Sequence, residues 1–452
     1  MTSNPRSIAN TLNNLDSYWL LNARIPKSLL TVEKIQSTTN NGLCSIDLEI
    51  ERGIIKQVVV SATQEIASKD RIDLGQKIVL PCFVDLHTHL DKGHIWERSP
   101  NLDGTFNTAL DTAIADSRQY WQTEDLQRRI EFNLKCAYAH GTKAIRTHLD
   151  SFGKQAKTSF QLFSYLRQQW RHKIELQAVS LVSLDYYQTP EGVALADRVE
   201  DSDGILGGVA YMHPEIDSQL ETVFRLATAR NLDLDFHVDE NGDPNSICLQ
   251  KIAEAAIEHD FQGKIVCGHC CSLAVQSREK VAKTLDLVKQ AGIAIVSLPM
   301  CNLYLQDRQY NNAQQPITPN WRGVTKVHEL QQQDIPVAFA SDNTRDPFYG
   351  FGDLDMLEVF EQAVRITHLD SDYDTWIESV TNTPAKIMGL ADTGKLAPGM
   401  TADLIVFPGR YYSELLSRSQ HERIVIRKGK AIETTLPDYS ELDDLIFTER
   451  IT

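Results

Sequence analysis

Two histidines one residue apart, His87 and His89 in LPCFVDLHTHLDK (80–92), stand at the end of an apolar, β-rich run. In a strand alternate side chains share a face, so the pair can grip one ion from a rigid base. Two histidines lining a turn would look the same, and the pair alone does not decide. The residues that close later apolar runs do. His237 ends LDLDFHVDE (232–240), His269 falls near the end of KIVCGHC (264–270) and Asp342 near the end of IPVAFASDN (335–343). Ligand-type side chains at the carboxyl ends of several different strands predict one metal site, because barrel enzymes gather their chemistry there. Nitrogen and carboxylate donors without thiolate suit one divalent ion, Zn(II) or Fe(II). An ion with an open position makes hydroxide available near neutral pH, so the predicted chemistry is hydrolytic. Glu240, three residues beyond His237, can move protons without binding the ion; expelling an amine needs such a shuttle. The other reading of Glu240, and more so of Asp239, is a solvated loop carboxylate.

Eight apolar runs position these residues: 78–87, 142–150, 174–183, 204–212, 232–240, 264–270, 293–300 and 335–343. Each is followed by a longer stretch, and several read as helices, among them TEDLQRRIEFNLKCAYAHG, SQLETVFRLATARN and SREKVAKTLDLVKQAG. Strands alternating with helices predict an α/β fold, a (β/α)8 TIM barrel over 79–390. The first connection, 91–120, reads as a long loop that could wall a substrate pocket. Short β-type runs at 20–75 and 395–435 predict a small β-sandwich domain built from both chain ends, 1–78 and 391–452.

A formal charge of −16 argues against a phosphate-backbone partner, so no nucleic acid is expected. Apolar residues at 42% and charged residues at 23% are ordinary for a globular chain. No stretch has signal-peptide or membrane-spanning character, which points to a cytoplasmic protein with no membrane partner. Eight scattered cysteines do not form a disulfide framework. Cys267-Gly-His-Cys270 spells a redox motif, but it supplies His269 to the strand ends and lacks a thioredoxin-sized setting.

The set HTHLD, RTHLD, HVDE, GHC and SDNTRDPFYGFGDLDML resembles the amidohydrolase superfamily, in the branch of cytosine deaminase and the N-isopropylammelide isopropylaminohydrolase-like s-triazine enzymes. The likeness runs from about residue 76 to the C-terminus. It implies that His87, His89, His237 and Asp342 hold one metal, that Glu240 is the proton shuttle and that His269 binds or polarises the attacking hydroxyl. The implied cycle has Asp342 take a proton from water, Glu240 protonate a ring nitrogen, and ammonia or an alkylamine leave. Relatives with two ions bridge them with a lysine at the end of the fourth strand; GGVAYMHPE has none, which favours a single ion.

Departures from the cytosine deaminase pattern fall on the substrate side. Ser183 aligns with a pyrimidine-reading glutamine, Asn343 stands where a carboxylate follows the metal-binding aspartate, Phe348 replaces a tryptophan over the ring, and Phe106 sits at an apolar contact. A pocket without that amide and carboxylate should not recognise cytosine well. Lys92 matches the triazine branch and could pair with an anionic or carbonyl-bearing heterocycle, or be a surface lysine bridged to Asp91 or Asp150. Arg146, His148 and Asp150 end the second strand, where such residues orient metal ligands or simply brace the fold; His94, His213 and His368 read as ordinary. The expectation is a metal-dependent aminohydrolase that cleaves a C–N bond of an amino-substituted nitrogen heterocycle, assembled as a homo-oligomer. N-alkyl-aminotriazine or cyclic amide hydrolysis, and a non-catalytic binding protein on the same barrel, are the alternatives.

Overall fold

The computed structural model describes residues 5–31, 35–62, 66, 68 and 70–446. These fall into two compact units, one from Met1–Val84, Lys135–Ala144 and Asp355–Leu436, the other from Asp85–Leu134, Ile145–Leu354 and Pro437–Thr452.

Eight strands carry the α/β architecture: β1 (Phe83–Thr88), β2 (Thr142–Asp150), β3 (Glu175–Leu181), β4 (Leu206–Ala210), β5 (Leu234–Val238), β6 (Ile265–His269), β7 (Ala294–Ser297) and β8 (Val337–Phe339). They form a three-stranded sheet, β1-β2-β3, and a five-stranded parallel sheet, β8-β7-β6-β5-β4. Single parallel bridges link Thr88 to Asp342, Val179 to Ile205 and Ser183 to Val209. β5, β6 and β7 are buried along their whole length, as expected of parallel strands covered on both faces. Helices follow the strands. Ile216–Arg230 ends at Asn231 in the left-handed conformation, and Arg278–Gln290 begins at Ser277, whose hydroxyl accepts the Lys280 N–H.

Two expectations need correction. The connection expected as a loop over 91–120 is helical from Phe106 to Tyr120, capped by Thr105, which accepts the Thr108 N–H. The apolar residues of FNTALDTAIADSRQY recur at helical spacing, and Ala109 and Ala113 are buried. The run expected as one strand over 78–87 is two: Val79–Pro81 pairs antiparallel with Leu404–Val406, and β1 begins after Cys82, whose N–H donates to the Asp403 carbonyl.

In the other unit, Ser17–Pro26, Leu43–Glu51, Ile54–Val60 and Arg71–Asp73 form one sheet; Val79–Pro81, Leu404–Val406, Ile424–Arg427 and Lys430–Ala431 form a second. The Arg52-Gly53 turn joining two of these strands has φ of 49° and 80°, the left-handed pair a tight hairpin needs. Leu20, Ile46, Leu48, Val79, Leu404 and Ile426 share one apolar cluster, so both chain ends feed the same core. Among the described residues no helix is long and apolar enough to cross a membrane.

Candidate functional site

Every residue of the site belongs to the unit that holds Asp85–Leu134 and Ile145–Leu354. The end of β1 is locked to the segment after β8: the Asp342 N–H donates to the His87 carbonyl at 2.9 Å. Two residues upstream, Asp85 accepts the Ser341 N–H at 3.1 Å and the Ser341 hydroxyl. This junction fixes where His87 and Asp342 meet. Asp342 and His269 both have left-handed backbones, φ 65° and 69°, an uncommon state for a non-glycine residue that clusters at functional positions.

The His237 Nε2 lies 3.1 Å from the Nε2 of His87 and 3.1 Å from the Nε2 of His89. Asp342 Oδ1 is 3.3 Å from His89 Nε2 and 3.6 Å from His87 Nε2. Two ligands of a tetrahedral ion with bonds of about 2.1 Å stand about 3.4 Å apart, so these four donors are spaced like one coordination shell. Hydrogen bonding does not account for the arrangement, since one ring nitrogen holds a single proton or lone pair and cannot satisfy two neighbours. Both Asp342 carboxylate oxygens are buried without an N–H or O–H donor. Burial pushes His87, His89 and His237 well below the usual imidazole range, so the rings are neutral and offer lone pairs.

Two more histidines crowd this centre. Donor atoms of His87, His148 and His237 lie within 4.8 Å of one another, as do those of His87, His269 and Asp342. His148 packs against His87, with ring centroids 3.9 Å apart and ring planes tilted by 35°. Beneath it, buried Arg146 binds Asp235 at 2.8 Å and Gln177 at 2.9 Å. Gly268 is a glycine for a reason of space: a Cβ there would stand 3.0 Å from Cε1 of His87.

Glu240 approaches from the other side. Its Oε1 is 3.3 Å from His269 Nδ1 and accepts the Asn302 amide N–H at 3.1 Å. The same Asn302 nitrogen lies 3.0 Å from His269 Nδ1. Burial raises the Glu240 carboxyl well above the ordinary value, and the Asp342 charge adds to the effect; burial likewise raises Asp342. Asp239 does a structural job, since its carboxylate accepts the N–H groups of Cys248 and Leu249 at the start of helix Cys248–Glu258.

A cavity of about 860 Å³ opens over these groups. His89, His237, His269, Asp342 and Glu240 line it, as do Lys92, Phe106, Ser183, Asn343 and Phe348. The Phe106 and Phe348 rings meet edge-on, centroids 5.6 Å apart. Asn343 donates to Asp346 at 2.8 Å. Lys92 is buried rather than on the surface: its Nζ lies 2.5 Å from Asp150 Oδ1 and 3.4 Å from His89 Nδ1. His94 bonds Asn133 at 2.9 Å, away from the cavity. Cys267 and Cys270 are buried, and burial drives their thiols well above the ordinary range, an unreactive setting.

Sequence reasoning missed Asn302, Asp85 and Ser341. Asn302 is a lone amide inside the apolar PMCNLYL, which is a signal; Asp85 interrupts FVDLH in the same way.

Comparison with known proteins agrees with this geometry. The amidohydrolase family model matches residues 137–434. A pterin deaminase of Rhizobium rhizogenes (strain K84 / ATCC BAA-868) is 48% identical over 434 residues, covering 96% of this chain and 98% of that protein. The N-isopropylammelide isopropyl amidohydrolase of Pseudomonas sp. (strain ADP) is 24% identical, covering 87% and 96%. Among solved structures, 5-methylcytosine deaminase of Klebsiella pneumoniae with 5-fluorocytosine superposes with a TM-score of 0.78 at 25% identity, covering 93% of this chain and 98% of that one. The chain belongs to the amidohydrolase family.

Proposed function

We propose that this protein is a metal-dependent hydrolytic deaminase whose substrate is a 2-amino-4-oxopteridine, converted with water to the 2,4-dioxopteridine and ammonia. One observation carries the chemistry: three imidazole nitrogens and a carboxylate without an N–H or O–H donor converge beside a second, raised carboxyl on the wall of a cavity. The pteridine class is supported by the 48% identity to a pterin deaminase along nearly the whole of both chains. About 860 Å³ is in the upper part of the roughly 300–1,000 Å³ range of small-molecule sites, and accommodates a fused bicycle.

The donor set fits one divalent ion, Zn(II) or Fe(II), held by Nε2 of His87, His89 and His237 and by Asp342. When bound, that ion supplies the Lewis acidity that lets water lose a proton near neutral pH. Asp342 takes that proton on its carboxylate. Glu240 holds a proton against the cavity and passes it to the ring nitrogen beside the amino-bearing carbon. Oxygen from water ends on that carbon as a carbonyl. The ring nitrogen keeps the proton from Glu240, the amino group leaves as ammonia with the proton Asp342 took, and Glu240 regains its proton from the added hydroxyl. His269 steadies the attacking oxygen. Phe106 and Phe348 clasp the ring, Lys92 faces its carbonyl edge, and Ser183 and Asn343 line the remainder.

Single parallel bridges at Thr88–Asp342 and Val179–Ile205 support reading the two sheets as one closed (β/α)8 barrel. The apolar cluster shared by the two four-stranded sheets supports a β-sandwich from both chain ends, with boundaries near 78/79 and 390/391.

The test is ammonia release by the metal-loaded protein across pterin, guanine, cytosine, 5-methylcytosine and N-isopropylammelide. Pterin should give the highest kcat/KM by at least about tenfold. A pyrimidine or triazine that outruns it would overturn the pteridine assignment.

A further inference from the structure

Asn302 is buried on the short helix Pro299–Leu305, behind the cavity wall rather than in it. Its amide nitrogen reaches Glu240 Oε1 at 3.1 Å and His269 Nδ1 at 3.0 Å. One helical turn on, Gln306 donates to the Glu240 backbone carbonyl at 3.2 Å, so the same helix face holds both the side chain and the main chain of Glu240. Across the ring, His269 Nε2 is buried without any hydrogen-bond partner.

The chemistry of these groups settles which atoms carry hydrogen. The Asn302 NH₂ donates to Glu240 Oε1 at 3.1 Å, and that oxygen accepts whether the group is ionised or carries its proton on Oε2. The second N–H of that nitrogen then points at His269 Nδ1, which has to accept it. A proton on Nδ1 would meet the Asn302 N–H head to head at 3.0 Å, closer than the 3.3 Å to Glu240 Oε1, the other group it could face. In a neutral imidazole one nitrogen donates and the other accepts, so the proton sits on Nε2.

We propose that Asn302 is a positioning residue whose single amide group fixes the Nε2–H tautomer of His269 and occupies Oε1 of Glu240, leaving Oε2 as the oxygen that carries the proton. His269 is thereby an N–H donor to the reacting oxygen and not a base, and the base function is left to Asp342 and Glu240. An oxygen gaining charge during addition is stabilised by a donor already aimed at it. This inference rests on the deaminase reading above for its role in turnover, while the tautomer itself is a property of the resting protein.

The experiment is ¹⁵N NMR of the metal-loaded protein with ¹⁵N-labelled histidine, with the His269 signals assigned by their loss in His269→Gln. The wild type should show His269 with its proton on Nε2; a proton on Nδ1 overturns the proposal whether or not the protein deaminates anything. In Asn302→Asp a carboxylate faces Nδ1, and the proton should move there. Asn302→Ala should lower kcat about 10²-fold with KM within about threefold and the metal retained. A folded Asn302→Asp protein that keeps the Nε2–H signal and wild-type kcat sinks the role of Asn302. If the Asn302 variants misfold, the wild-type spectrum still decides the tautomer.

Discussion

The Lys92 ammonium lies 2.5 Å from Asp150 Oδ1 and, buried beside the candidate metal centre, only 3.4 Å from Nδ1 of His89. A cation is thus held in place at the cavity wall by a partner on β2, and the Asp150 backbone is itself fixed by its N–H bond to Asp91 at 2.8 Å. Burial opposes the Lys92 charge, yet Asp150 and Asp91 keep it above the ordinary lysine value, so it stays an ammonium throughout the working pH range. Lys92→Met should lower kcat/KM for a carbonyl-bearing heterocycle at least about tenfold, mostly through KM, if the ammonium contributes one charge-assisted hydrogen bond. Breaking a fully buried ion pair costs about 3–5 kcal/mol; because Asp150 is 29% exposed, the loss in stability should fall below that range. Equal kcat/KM in the variant, from initial rates on the best substrate, would remove Lys92 from substrate recognition.

Glycine at 268 makes room for the His87 ring. Gly268→Ala brings a Cβ to 3.0 Å from Cε1 and 3.1 Å from Nδ1 of that ring, against a buried strand that cannot easily retreat. Metal affinity should fall about 10–100-fold, the usual penalty for disturbing the support of a ligand histidine. Competitive titration with a chelator measures it, and an unchanged affinity would mean that His87 does not hold the metal.

Glu240→Gln keeps the shape and the bond to Asn302 but cannot carry a proton. It should retain one metal per chain while turnover falls about 10²–10⁴-fold. Metal content by elemental analysis alongside kcat checks both halves, and a variant near the wild-type rate would show that the proton travels by another route.

His237→Ala removes the ring whose Nε2 lies 3.1 Å from the Nε2 atoms of both His87 and His89, the proposed metal donors. The purified variant should lose both metal and activity. Stoichiometric metal in it would break the assignment of the four donors.

How much of this was legible in the sequence depends on where the information lay. Side-chain alternation in a strand was enough to aim His87 and His89 at one place, and the runs ending in His237 and Asp342 supplied the other donors. Seven of the eight strands lie within the apolar runs and β1 passes the end of its run by one residue, Thr88, because a strand buried on both faces is written as a continuous apolar stretch. The helix Phe106–Tyr120 was hidden because its small buried residues, Ala109 and Ala113, give a weak apolar stripe. The break at Cys82 was hidden because Val79–Pro81 and β1 are equally apolar and differ only in their partners. Asn302 and Ser341 escaped notice because their importance lies in what they touch, Glu240 with His269 and Asp85, and no local pattern encodes such long-range contacts. Asp239 and Glu240 are neighbours of the same type, and only the fold separates the helix cap from the residue on the cavity wall.

The most direct test of hydrolytic deamination is turnover of pterin by the metal-loaded protein in ¹⁸O-enriched water, with ammonia and the pteridine product quantified together. One ammonia per product and a single ¹⁸O on the carbon that bore the amino group are the expected result. Pterin left intact by fully metal-loaded protein, or consumed with its ring opened and no ammonia released, would contradict it.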